Sequence, residues 1–387
     1  MDEALAHWLT GEDGRRALAE AAGLADPASV AAAQALRRRW SPEQAAAVSH
    51  QEQLRRRGVA KFGERARSLW WTADGLEQAT RAPVAAWRAA RLAAAGATRV
   101  VDLGCGVGAD ALAFADAGLE VVAVERDPVT AVLARANLAG RGEVLVGDAV
   151  ELAGTLVGPG DAVFVDPARR TARGRTWRIS EVSPPWDWAT GLVSGRLGCV
   201  KAGPGLSTGD LPASLAAVWV SDRGDLVETG LWSGDGRPPG SRTALLLPGP
   251  VELAVDPGRR PAVGDVAGYL YEPDPAVIRA GGLARVADLV GGWALAERIA
   301  YLASDRLVPT PLATAFAVRR ELAFDERAIR AWLREEGVGV LEIKVRGIDV
   351  DPAVLRRRLK PSGSASATLV ITPTRRGARA LVADRVS

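Results

Sequence analysis

The chain has 387 residues, with 49 Arg and Lys against 46 Asp and Glu, and only two cysteines and two histidines. Cys105 and Cys199 make no disulfide framework, and His7 and His50, both in one N-terminal segment, supply neither a zinc cluster nor a histidine base. No run approaches the roughly 18 apolar residues of a membrane span and the start is acidic, so a cytoplasmic protein without membrane or metal is expected, with room for two or three domains.

The first stretch, 1–82, reads as an N-terminal helical domain, alanine-rich with helical apolar spacing from Ala4 to about Ala60. Ser41-Pro42-Glu43-Gln44 is a good helix start, and Arg37 to Arg39 and Arg55 to Arg57 read as basic turns. Lys61-Phe62-Gly63 through Trp70-Trp71-Thr72 and Gly75 to Thr80 lead into the helix before the first strand. Thr80, ahead of Arg81 and Pro83, can be a helix cap.

The next stretch, 83–255, carries the chemistry. Val100 to Asp110 is an apolar strand that reaches Asp102 and then a turn with glycines at 104, 106 and 108 around Cys105, opening a helix. Glycines there let the backbone bend sharply and leave amides free at the helix N-terminus, the setting of a nucleotide-like cofactor. Read as Gly104-x-Gly106-x-x-Ala109, the turn also passes the loose dinucleotide fingerprint. The acids that follow separate the two cases. Leu119 to Val124 is a second strand closed by Glu125 and Arg126, where a carboxylate can take ribose hydroxyls. Val144 to Val146 ends in Gly147-Asp148-Ala149, and Ala162 to Val165 ends in Asp166-Pro167. Asp102 beside a pyrophosphate would set like charges together, whereas a sulfonium and an α-ammonium are cations, so S-adenosylmethionine suits the turn better.

On these four motifs, in order over Arg99 to Leu247, the chain resembles the class I S-adenosylmethionine-dependent methyltransferases. Within that class, DLGCGVGADALAFADAGLEVVAVERDPVTAVLARANLA is most similar to the trimethylguanosine synthase type of RNA methyltransferase. The resemblance implies a Rossmann-like α/β fold with a seven-stranded sheet. It implies cofactor contacts from Asp102, Gly104 and Gly106 at the methionine moiety, Glu125 at the ribose, and Asp148 and Ala149 at the adenine, with Cys105 and Arg126 also counted among the cofactor-binding residues. It would also place Gln78 and Thr80 near the cofactor.

Asp166-Pro167-Ala168-Arg169-Arg170 occupies the catalytic position, where amino-methylating enzymes carry Asp/Asn-Pro-Pro and an aromatic. Asp166 and Pro167 keep the acceptor half, able to hold a target N–H and turn a lone pair to the methyl group. Ala168 and Arg169 replace the second proline and the ring, leaving Trp177, Trp186 and Trp188 as stacking candidates. Asp-Pro-Ala-Arg is also similar to the fourth motif of 5-methylpyrimidine RNA methyltransferases, which need a cysteine nucleophile. Cys199, in the expected fifth strand, lacks that setting and reads as a buried apolar residue. Arg169, Arg170, Arg173, Arg175 and Arg178, with no acid among them, invite a phosphate backbone.

Antiparallel strands around 218–221, 226–232 and 243–247 should finish the sheet, and 256–312, richer in Pro and Gly, reads as a connecting segment. From 313 to 387 a small α+β domain alternates strand, helix, strand, helix, strand. Its part from 311 carries 15 Arg and Lys against 9 Asp and Glu, whereas the whole chain is only +3. LEIKVRGIDVDPAVLRRRLKPSGSASATLVITP resembles the THUMP-like domain appended to bacterial methyltransferases, which by analogy with THUMP domains implies RNA as partner. The expected function is methyl transfer to a nitrogen of structured RNA. The alternatives are a non-catalytic RNA-binding protein on the same fold and a methyltransferase for a small molecule.

Overall fold

The computed structural model describes residues 1–167, 170, 171, 174, 175 and 181–386, with backbone alone at 170, 171, 174 and 175. By contacts the chain divides into two compact units, Met1–Ala217 with Glu228–Ser241 and Val218–Val227 with Arg242–Ser387.

Six helices precede the first strand: α1 (Glu3–Thr10), α2 (Glu12–Ala22), α3 (Val30–Leu36), α4 (Pro42–Phe62), α5 (Ala73–Gln78) and α6 (Ala82–Ala94). The start at Ser41 is a capping box: its hydroxyl accepts from the Gln44 N–H while the Gln44 side chain accepts from the Ser41 N–H, with Pro42 in the first turn. Arg55 to Arg57, expected as a turn, lie inside α4. Nothing there stops the helix. Gly58 is needed for close packing, since a Cβ would come within 3.0 Å of the Ala66 methyl, and the chain turns only at Gly63, in the left-handed region at φ +62°.

The α/β part runs β1 (Arg99–Leu103), α7 (Ala109–Asp116), β2 (Glu120–Glu125), α8 (Pro128–Leu138), β3 (Glu143–Val146), α9 (Ala149–Leu156) and β4 (Ala162–Val165). After the two-residue pair β5 (Arg170–Thr171) and β6 (Gly174–Arg175) come α10 (Trp186–Val193), β7 (Gly198–Ala202), β8 (Ala216–Asp222), β9 (Asp225–Ser233), β10 (Arg242–Leu247) and β11 (Val251–Val255). The sheet order is β11-β10-β8-β9-β7-β4-β1-β2-β3. Strands β1, β2, β3, β4 and β7 are parallel and β9 runs against β7. Strand β1 lies between β2 and β4, so the order reverses there, and the crevice at its carboxyl end is where open α/β sheets bind ligands. The order contains the seven strands of the expected sheet, extended at one edge by the hairpin of β10 and β11.

The second unit holds β12 (Tyr269–Pro273), α11 (Pro275–Ala280), α12 (Leu283–Val290), β13 (Trp293–Ala294), β14 (Leu302–Ser304), β15 (Ala313–Ala323), α13 (Glu326–Glu335), β16 (Val338–Val345), α14 (Pro352–Leu359), β17 (Ala365–Thr374) and β18 (Gly377–Val386). Its sheet order is β13-β14-β12-β15-β18-β17-β16. The stretch 256–312, read from sequence as a connection, therefore supplies three strands of the same sheet as 313–386. These strands have two to five residues, too short to show an alternating pattern, and they gain their burial from distant partners: Leu270 and Ala303 pack with Phe316 and Leu381. Helices α13 and α14 cover the other strands through Ile329, Trp332, Leu333, Leu355 and Leu359. Among the described residues no helix is long and apolar enough to cross a membrane, and no group of His, Cys, Asp and Glu could hold a metal ion.

Candidate active site

Three left-handed glycines shape the turn after β1, with φ of +93° at Gly104, +55° at Gly106 and +81° at Gly108. A Cβ on Gly104 would stand 3.2 Å from the Asp166 carbonyl oxygen, so this glycine lets the ends of β1 and β4 approach, whereas one on Gly106 would meet nothing within 4 Å. The Gly104 and Cys105 amides both donate to the Val124 carbonyl at 3.0 Å, and the Gly106 amide donates to Glu125 Oε2 at 2.9 Å. Glu125 Oε1 accepts from the Asp127 amide at 2.9 Å. Burial raises the Glu125 carboxyl above its usual range, against the pull of these backbone donors. Each oxygen keeps a lone pair for a further donor.

The turn is also held from outside the sheet. Asn137 of α8 accepts from the Trp70 amide at 2.7 Å and donates to the carbonyls of Trp70, at 3.0 Å, and Val107, at 2.8 Å. The Val107 side chain sits in one cluster with Leu54, Trp71 and Leu76 of the N-terminal segment.

Asp102, at the end of β1, is 0 % exposed, and neither carboxylate oxygen has a hydrogen-bond partner among the described residues. Burial, then the neighbouring carboxylates of Asp110 and Asp166, push its carboxyl well above the ordinary range, opposed by Arg88 and Lys201. An orphaned acid beside an open glycine turn fits a cationic ligand. Asp102→Asn should stabilise the ligand-free protein against urea at pH 8. That gain should shrink as pH falls towards the ordinary carboxylate range, because Asp102 itself then takes up the proton. A variant no more stable at pH 8 would show that the acid is not a buried cost.

Behind it lies a buried ion network with no sequence signature. Arg88 of α6, 1 % exposed, pairs with both Asp110 of α7 and Glu228 of β9, and its guanidinium lies 4.5 Å from the centre of the Phe164 ring. Burial opposes its charge, but the two carboxylates outweigh burial and raise its pKa. Thr80 donates to Asp110 Oδ2 at 2.6 Å and is buried, so it does not cap α6, whose cap residue is Arg81.

Asp166, following β4, is half-buried, and Pro167 is buried. Asp166 Oδ2 accepts from Lys201 Nζ at 2.7 Å, while Oδ1 has no partner among the described residues. Lys201, at the end of β7, also donates to the Gln78 carbonyl at 3.3 Å. Burial lowers its pKa, but Asp166, Asp110 and Glu228 reverse that and raise it. Lys61 donates to the carbonyls of Leu76 and Glu77 at 3.0 and 2.9 Å; burial, then the charges of Lys201 and Arg81, bring its pKa down to about 8. Lys201 was not among the residues singled out from sequence; a basic residue closing the strand next to that of Asp166 is the only signal it leaves.

Asp148 is the N-cap of α9, its Oδ1 accepting from the Val150 amide at 2.8 Å, with Ala149 buried behind it and Arg126 exposed after β2. Trp186 and Trp188 are half-buried in α10. Arg169, Arg173, Trp177 and Arg178 lie outside the described residues, as do the side chains of Arg170 and Arg175. Cys199 is fully buried and burial pushes its thiol up, the opposite of what a nucleophile needs; burial does the same to Cys105.

A parallel sheet with its glycine turn at the reversal of strand order, completed by an antiparallel β9, is the arrangement of a class I methyltransferase. A crystal structure from Porphyromonas gingivalis assigned as a methyltransferase shares the fold at a TM-score of 0.74, with 24% identity over 99% of this chain and 98% of the other. In Mycobacterium tuberculosis a protein described as an uncharacterized S-adenosylmethionine-dependent methyltransferase is 36% identical over 332 residues, 82% of this chain and 90% of the relative. The chain belongs to the S-adenosylmethionine-dependent methyltransferases. Residues 313–385 match the family described as THUMP domain-like, and residues 2–58 match a domain of unknown function (DUF8688).

Proposed function

We propose that this methyltransferase acts on a nitrogen of a base in structured RNA, transfer or ribosomal. The observation that carries the RNA reading is the THUMP domain-like match over 313–385 in the same chain as the methyltransferase core. The exposed Arg356, Arg357 and Arg358 in the last turn of α14 offer phosphate contacts.

S-adenosylmethionine, when bound, supplies a methyl group on a sulfonium. Asp102 would balance the cationic methionine end, beside the turn at Gly104, Cys105 and Gly106, whose amides are held by Val124 and Glu125. Glu125 uses its remaining lone pairs on the ribose hydroxyls, next to Arg126. Asp148 Oδ2 and the Ala149 amide would hold the adenine, and Thr80 would act from behind by fixing Asp110. Asp166 Oδ1 accepts the target N–H, because Lys201 already occupies Oδ2, and the Pro167 segment sets its direction. Held this way, the target nitrogen would take the methyl group that the cofactor supplies, leaving S-adenosylhomocysteine and releasing its proton towards Asp166, with positioning doing most of the catalysis. Arg169, Arg170 and Trp177 hold the substrate's phosphates and base.

The test is transfer of tritiated methyl from S-adenosylmethionine to total RNA of a strain lacking the protein. A labelled discrete band is expected. Arg356→Glu with Arg357→Glu should weaken labelling and flatten its salt dependence. Label confined to small molecules would refute the RNA reading.

A further inference from the structure

The N-terminal segment lines an open pocket of ≈ 390 Å³, apart from the glycine turn, on whose wall stand Arg15 of α2, Glu52 and Arg55 of α4, Arg67, Trp70 and Leu18. Its charges do not balance. Glu52, the only carboxylate among the described lining residues, is taken by Arg56 at 2.9 Å, and Arg67 pairs outward with Glu64 at 2.7 Å. Arg15 donates through Nε to the Thr10 carbonyl at 2.9 Å and has no carboxylate partner among the described residues. Arg55 is half-buried, its guanidinium 4.7 Å from the Trp70 ring centre and its Nε on the Leu69 carbonyl at 3.0 Å. Both terminal nitrogens of Arg55 lack a protein partner among the described residues. Burial lowers its pKa, the Glu52 carboxylate acts against that, and the charge of Arg15 adds to the lowering.

A guanidinium held over a ring with both terminal nitrogens unspent is arranged for bidentate contact with phosphate. The volume lies at the low end of organic-ligand sites and exceeds what a bare phosphate fills, and Leu18 gives an apolar surface for the remainder. We propose that this cavity binds the phosphate of a nucleotide, either a free mononucleotide or one residue of an RNA strand, with Arg55 and Arg15 as its ligands. The inference does not rest on the RNA reading, since free nucleotide binding would survive its failure.

The test is calorimetric titration of the full chain with uridine 5′-monophosphate, uridine and an RNA hexamer of uridines. Uridine monophosphate or the hexamer should bind, uridine at least about tenfold more weakly, and Arg55→Met should cost at least about tenfold. Arg15→Glu, at an exposed position on α2, should do the same while S-adenosylmethionine affinity stays unchanged, which decides the matter if Arg55→Met folds poorly. Binding of the monophosphate identifies a free nucleotide as ligand; binding of the hexamer alone identifies the RNA backbone. Binding of neither, or binding indifferent to Arg15→Glu in protein that still takes S-adenosylmethionine, overturns the proposal.

Discussion

Replacing Arg88 with leucine is expected to cost about 3–5 kcal/mol of stability, enough to leave much of the protein unfolded at 37 °C. The reason lies in what remains. Asp110 and Glu228 are buried, each faces the guanidinium, and removing it strands two carboxylates in the interior. Urea denaturation of Arg88→Leu measures the loss. Removing all three charges together, as Arg88→Met with Asp110→Asn and Glu228→Gln, should recover most of it, because no unpaired charge is left. A single variant that loses less than about 1 kcal/mol would mean that the network is solvated and structurally idle.

The second large effect falls on chemistry. Asp166→Ala should lower methyl transfer by about 10²–10⁴-fold while leaving S-adenosylmethionine affinity within a few-fold of the parent. Lys201→Met frees Oδ2 without removing the carboxylate, so it should reduce the rate less than Asp166→Ala does. Single-turnover transfer, with cofactor binding measured separately, distinguishes the two. Undiminished transfer by Asp166→Ala would remove this acid from the mechanism.

How far the sequence spoke depended on the distance over which each residue finds its partner. The glycine turn, Glu125 and Asp148 were legible because each is a local event: an apolar strand ends, and an acid or a glycine stands where the next helix begins. The helices and strands of 313–374 were legible for the same reason, with Asp325 and Asp351 as caps. Arg88 was not, since it finds Glu228 140 residues away and no helical pattern distinguishes a buried arginine from an exposed one. Lys201, 35 residues beyond Asp166, gives a similarly faint signal. The short strands β12 to β14 are fixed by pairing with one another and, through β12, with β15, and local pattern holds no record of that.

Asn137 gives the N-terminal helices a meaning that a boundary drawn before residue 83 would miss. One amide side chain binds the backbone of Trp70 and the carbonyl of Val107 at once, so the curve of the glycine turn is partly written by the helical segment ahead of the sheet. Removing the first 82 residues would leave the Asn137 side chain with its Val107 bond alone, and the turn would lose that part of its support.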